Sequence, residues 1–174
     1  MNEMFRPRLR LAVGLVLFAL AVAVSPANAV QPECRVENLW PGTFFYNSNT
    51  HADPLGTAIA EAEAGDTLQV IGTCRGNFVI EKDLTIQGRA SEQHADTISG
   101  DGAGAVLTIP AASDGDGGLV RGATVTIKNL TITGGFNENW PAPSGGGISN
   151  NGALTVEGSI ITGNVAVSGG GLGK

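Results

Sequence analysis

The chain has 174 residues, 42% of them hydrophobic and 15% charged, with 26 glycines and a formal net charge of −6. That length implies no second globular domain. The acidic balance excludes the basic footprint that a nucleic-acid or anionic-membrane binder carries.

Met1 to Ala29 reads as a secretory signal peptide. Arg6, Arg8 and Arg10 form a basic start, Leu11 to Val24 is an apolar run of 14 residues, and Ala27-Asn28-Ala29 supplies small residues for cleavage. The run is short of the roughly 20 apolar residues that a membrane span needs. No cysteine directly follows the small residues, which argues against a lipid anchor. Cleavage after Ala29 leaves 145 residues (174 − 29) with 7 basic and 15 acidic groups, a charge of −8 (7 − 15). The expected location is extracellular or on the cell surface, with no transmembrane span in the mature chain.

The two cysteines, Cys34 and Cys74, both lie in the exported part. An even count in an oxidising compartment predicts one disulfide between the N-terminal segment and an early strand. No CxxC or Cys/His cluster supports a metal or redox site.

Residues 30–66 are expected to form an N-terminal cap. Leu39 to Tyr46 holds four of the nine aromatics, suited either to covering an open core or to stacking on sugar rings. Asp53 and Pro54 then start a helix over about 54–64, as N-cap and first helical residue. Leu55, Ala58, Ile59 and Ala62 share one face, and Gly65 ends the helix. His51 reads as a neighbour of the cap.

From residue 67 the chain alternates short apolar runs with turns. Thr67 to Ile71, Phe78 to Ile80 and Leu84 to Gln87 read as strands, followed by Ile98 and by Val106, Leu107 and Ile109. Ser113-Asp-Gly-Asp-Gly-Gly118 invites a calcium reading through Asp114 and Asp116. An EF-hand loop beginning at Asp114 would need glutamate where Val125 stands, and no second copy stacks in register. A solvated glycine turn is the preferred account, with calcium as the remaining cofactor candidate.

The clearest pattern is a repeat over Ala123 to Leu172. Val125 to Gly134 aligns with Leu154 to Gly163 at an offset of 29 (154 − 125), and Gly145-Gly-Gly-Ile148 with Gly169-Gly-Gly-Leu172 at 24 (172 − 148). The offsets differ because Gly135 to Ser144 is a longer insert. Val125/Ile127, Leu130/Ile132 and Leu154/Val156 alternate at period two with threonines between them, and no helical stretch intervenes. Such a unit cannot bury its apolar face alone, so the pattern predicts an all-β solenoid of four or five stacked coils, a parallel β-helix. The glycine triplets are expected at sharp turns in positive-φ conformations, with Asn150, Asn151 and Asn164 bonding from coil to coil. A leucine-rich repeat is set aside because LxxLxLxxN is missing.

Gly146-Gly147-Ile148 and Ile161-Thr-Gly-Asn164 resemble the GGAI and FxxN repeats of polymorphic outer-membrane proteins, and more broadly right-handed parallel β-helix proteins secreted or displayed by bacteria. Ile161 stands where that family has an aromatic residue. The resemblance implies a right-handed coil and a structural or adhesive surface role. The short helix before Gly65-Asp-Thr is likewise similar to the N-terminal cap of many β-helix proteins.

Polysaccharide lyases and glycoside hydrolases share this fold and form the alternative, acting on a pectin-like or other acidic glycan. Hydrolysis needs two carboxyl groups about 5 to 9.5 Å apart. Asp96 with Asp101, or Asp114 with Asp116, are the candidates. A lyase would draw on His94, Arg89 or Arg121. None of these forms a polygalacturonase or pectate-lyase motif. In the long insert Phe136, Asn137, Glu138, Asn139 and Trp140 are the candidate glycan-binding residues, against a structural role for Trp140-Pro141. Asn129-Leu-Thr131 matches a glycosylation sequon at a strand junction and carries little weight. The last coil shows no polar cap, so self-association through it, or a longer protein, is expected.

Overall fold

The computed structural model describes residues 34–39, 44–47 as backbone, 51–89, 96–138 and 145–173. The signal-peptide assignment, His94, Asn139 and Trp140 fall outside these residues. The described chain is β-rich with one short helix, and its sheets are both parallel and mixed.

Three sheets carry the architecture. The first contains the parallel strands Thr67–Ile71, Leu84–Gln87, Thr124–Lys128 and Ala153–Glu157. It is extended at its early edge by two antiparallel strands, Arg35–Asn38 and Phe44–Asn47. The second holds Thr73–Arg75, Asp96–Ser99, Leu130–Thr133 and Ile160–Ile161, all parallel. The third holds Phe78–Val79, Leu107–Ile109, Ile148–Asn150 and Leu172–Gly173, again parallel. The chain visits the three in turn and returns to the first, so each sheet gains one strand per passage.

The repeat offsets reappear as strand registers. Val125 pairs with Leu154 and Thr131 with Ile160, both 29 apart, and Ile148 pairs with Leu172, 24 apart. Earlier passages are irregular: Leu84 to Val125 spans 41 residues (125 − 84). Part of that extra length is an antiparallel hairpin of Ala112–Ser113 and Leu119–Val120, with the Asp-Gly-Asp turn at its tip. The hairpin stands away from the core, with Leu119 82% exposed.

Alternation sorts the side chains into columns. Inward columns run Leu68–Ile86–Ile127–Val156, Cys74–Ile98–Ile132–Ile161 and Phe78–Leu107–Ile148–Leu172. Outward, Thr67, Thr85, Thr126 and Thr155 stand in one row. The first three members of each inward column are buried, but Val156 and Leu172 are 38% and 51% exposed. The expected burial of Leu154/Val156 is therefore only partial, because among the described residues no further row stacks on the last one.

At the early end the helix Pro54–Glu61 covers the core with Leu55, Ala58, Ile59 and Ala62, the face the spacing predicts. It ends earlier than expected. Ala62 is the C-cap in an extended conformation, and Lys82 Nζ donates to the carbonyls of Ala60 and Ala62 at 3.0 and 2.9 Å, so the close is made by a lysine from the next turn. Asp53 is the N-cap, its carboxylate accepting from the Gly56 amide at 2.9 Å. The Cys34–Cys74 disulfide is formed, with Cα atoms 4.4 Å apart and both residues buried.

The glycine triplets do their work mainly by close approach. Gly169 has φ +67, but Gly147 does not take a positive φ. A Cβ on Gly147 would collide with Gly171 O and the Ile161 side chain of the stacked segment. Main-chain bonds from Gly147 to Gly170 O and from Ile148 to Gly171 O tie the two triplets directly. A left-handed residue is required instead at the corner between the first and second sheets, where Asn129 has φ +52. Asn129→Gly is expected to be nearly neutral, whereas Asn129→Val should cost on the order of 1–2 kcal/mol, read from urea midpoints.

Candidate functional site

Asp96 is the first candidate carboxylate, and its position follows from its strand. In Asp96-Thr-Ile-Ser99 the residues two apart share a face, so burial of Ile98 carries Asp96 inward, opposite Leu130 of the next strand. The residue is 1% exposed. One oxygen accepts from the Gly72 amide at 2.8 Å and from Arg89 Nη2 at 2.8 Å; the other accepts from the Arg89 amide at 2.7 Å and Nε at 3.1 Å. Burial pushes the carboxyl pKa up, but the Arg89 side-chain bonds, the two amides and the guanidinium charge outweigh it, leaving it below the ordinary value. The hydrogen bonds that Arg89 donates to Asp96 raise its own pKa in turn, against its partial burial. Both oxygens of Asp96 are thereby committed to clamping Gly72 and Arg89 to the strand. Its proposed partner, Asp101, is exposed and holds the amide of Ala103.

The second pair is also tied to its own turn. Asp114 Oδ1 accepts from the amides of Asp116 and Gly118 at 3.0 and 2.8 Å, and the hairpin closes with Asp114 N donating to Gly118 O. This is an aspartate-stabilised turn of the kind the glycine spacing favours. Arg121, a candidate with His94 and Arg89 for lyase chemistry, is exposed just after the hairpin. Among the described residues no group of three or more His, Cys, Asp or Glu side chains is arranged to hold a metal.

The insert does not begin as the expected loop. Phe136–Asn137 is a short strand paired in parallel with Val165–Ala166, and Phe136 is 41% exposed. Asn164 reaches back across this junction, its Oδ1 accepting from Gly135 N at 2.9 Å and its Nδ2 donating to Ile132 O at 3.0 Å. The expected coil-to-coil asparagine bond is therefore made to main chain rather than to a stacked asparagine. Glu138 follows as an exposed residue.

Two polar features have no sequence signal. Asn38 Nδ2 donates to Asp66 Oδ2 at 2.7 Å between residues that are both buried, and Glu63 N donates to the same oxygen, joining the strand Arg35–Asn38 to the end of the helix. Ser149 is 2% exposed, and its hydroxyl has no hydrogen-bond partner among the described residues. Because an unpaired buried hydroxyl costs about 1–3 kcal/mol, Ser149→Ala is expected to raise the thermal midpoint rather than lower it.

No protein-family model matches the chain, and no curated protein and no solved structure matches it either.

Proposed function

We propose that the chain is a secreted or cell-surface module built as a right-handed parallel β-helix, of the kind found in bacterial surface repeat proteins, with a structural or adhesive role and no catalysis of its own. The observation that carries this reading is the register: parallel strands are added to three sheets in rotation, the last of them at the offsets of the sequence repeat. The commitment of Asp96 and Asp114 to main-chain amides favours structural use of the residues first considered for chemistry. A buried disulfide agrees with an oxidising compartment, and no described helix is long and apolar enough to cross a membrane.

The test expresses the chain with its own leader and follows the product between medium, cell surface and cytoplasm. The purified protein is then incubated with pectin-like and neutral polysaccharides. An exported product that is retained on a surface or polymer without changing it is the expected outcome. Release of unsaturated or new reducing ends would replace this reading with a carbohydrate-active lyase or hydrolase, and retention in the cytoplasm would remove the surface role.

A further inference from the structure

A cleft of about 390 Å³ lies between the helix Pro54–Glu61 and segment 77–82. Its size falls within the range of small-molecule sites, about 300–1,000 Å³. Gly56, at the third helical position, leaves room in its lining for the Asp53 carboxylate, which folds back over the first helical turn and would collide with a Cβ there.

The lining has a definite chemical character. Asp53 and Glu81 contribute carboxylates; Glu81 is exposed and makes no hydrogen bond or ion pair with the described residues. Asn77 donates from Nδ2 to Ala105 O at 2.8 Å, which fixes the amide and leaves its Oδ1 as an acceptor. Lys82 is the one cation of the lining, and its ammonium is held by the carbonyls of Ala60 and Ala62. Val79, 53% exposed, adds an apolar surface beside Ile59 and Phe78.

The cleft thus offers hydrogen-bond acceptors, a negative balance of two carboxylates against one engaged ammonium, and an aliphatic wall. An anionic sugar meets repulsion from both carboxylates. A simple ammonium ion would use the carboxylates and the Asn77 acceptor but leave the Val79 wall unmatched. A neutral saccharide answers all three features: its hydroxyls are donors and its C–H face is apolar.

We propose that this cleft binds one or two units of a neutral saccharide, with hydroxyls donating to Asp53, Asn77 and Glu81 and a ring face against Val79. The site lies beside the helix rather than on the repeated turns, so it stands independently of the architecture proposed for them.

The test is amide chemical-shift titration of the full mature chain with neutral disaccharides (cellobiose, lactose, diacetylchitobiose), with digalacturonate and with glucosamine. A neutral disaccharide should produce saturable shifts confined to residues 53–60 and 77–82. Glu81→Ala and Val79→Asp, both at exposed positions, should weaken that binding about tenfold or more while leaving the urea midpoint in place. Failure of every neutral probe to saturate overturns the proposal. So does equal or tighter binding of digalacturonate, binding of glucosamine alone that vanishes with added salt, or unchanged affinity in both variants.

Discussion

Loss of the Cys34–Cys74 disulfide is expected to be the most damaging single change to this fold. The bridge joins residues 40 apart in sequence, and chain entropy assigns closure of a loop of that size about 4 kcal/mol of native stability. Its position adds a structural reason for the full effect to appear. Cys74 heads the column Cys74–Ile98–Ile132, and Cys34 opens the strand Arg35–Asn38 that pairs antiparallel with Thr67–Ile71. That strand brings Val36, fully buried, and Asn38, bonded to Asp66. Without the bridge, four residues of strand must hold themselves against the first sheet. The double variant Cys34→Ser, Cys74→Ser should therefore lower the thermal midpoint by on the order of 10 °C. It should also raise the urea m-value, because the unfolded chain loses a cross-link and exposes more surface. Hydrogen exchange supplies the local check: the Leu39 amide, bonded to Thr67 O at 2.9 Å, should lose protection first. A midpoint change of only a degree or two would mean that the helix and the Asn38–Asp66 contact already anchor this end.

The part of the fold that is legible in the sequence is the part where local rules and tertiary contacts agree. Val125 and Leu154 align on residue pattern alone because each sits in a Thr-interleaved apolar run, and stacking requires those runs to fall in register. The helical face of Leu55, Ala58, Ile59 and Ala62 follows from 3.6-residue spacing. The earlier passages are less regular because the hairpin at 112–120 lengthens one of them, leaving no constant offset to find. The strand Thr73–Arg75 escapes notice because Gly72 and Gly76 bound a run of only three residues. At the glycine triplets the residue type is as expected but the cause differs. Close stacking of main chains, rather than backbone angle, excludes a side chain at Gly147.

The candidate chemistry is less legible, since a carboxylate in sequence carries no mark of what it will bond. Asn38 and Asp66 are 28 residues apart, and Lys82 reaches the helix end from 20 residues beyond Ala62, so neither contact has a local signal. Asp96 does have one. Ile98 reads as a strand residue, and period two obliges Asp96 to share its inward face. An aspartate at a core position needs several donors, and Arg89, seven residues earlier, is a cation able to supply a fork. Alternation alone therefore points to the pair as structure rather than as acid and cation for catalysis.

That placement yields the second large effect. Asp96→Ala should destabilise the protein by about 3 kcal/mol, since it orphans the Gly72 and Arg89 amides and leaves a small void. Arg89 itself adds less to the loss, because its side chain is 40% exposed and can return to water. Asp96→Leu copies the Leu130 position and fills the void, yet it leaves the same two amides unpaired, so it should rescue only part of the stability. Asp96→Asn keeps an acceptor for one amide and should cost the least of the three. The pH dependence separates charge from packing. The folded-state pKa of Asp96 lies below its ordinary value, so the unfolded state binds the proton more readily. The stabilisation is then fully present above the ordinary carboxylate range and is lost as pH falls through the lower folded value. Urea midpoints from neutral pH down to about 2 should show wild type losing its advantage over Asp96→Asn on the acid side, with the difference flat near neutrality. An advantage that stays constant to the acid limit would assign the effect to packing and remove the ionised carboxylate from the account. If the acid-dependent loss is seen, Asp96 is a clamp between Gly72 and Arg89 that works only as an anion, and its ionisation serves folding rather than proton transfer.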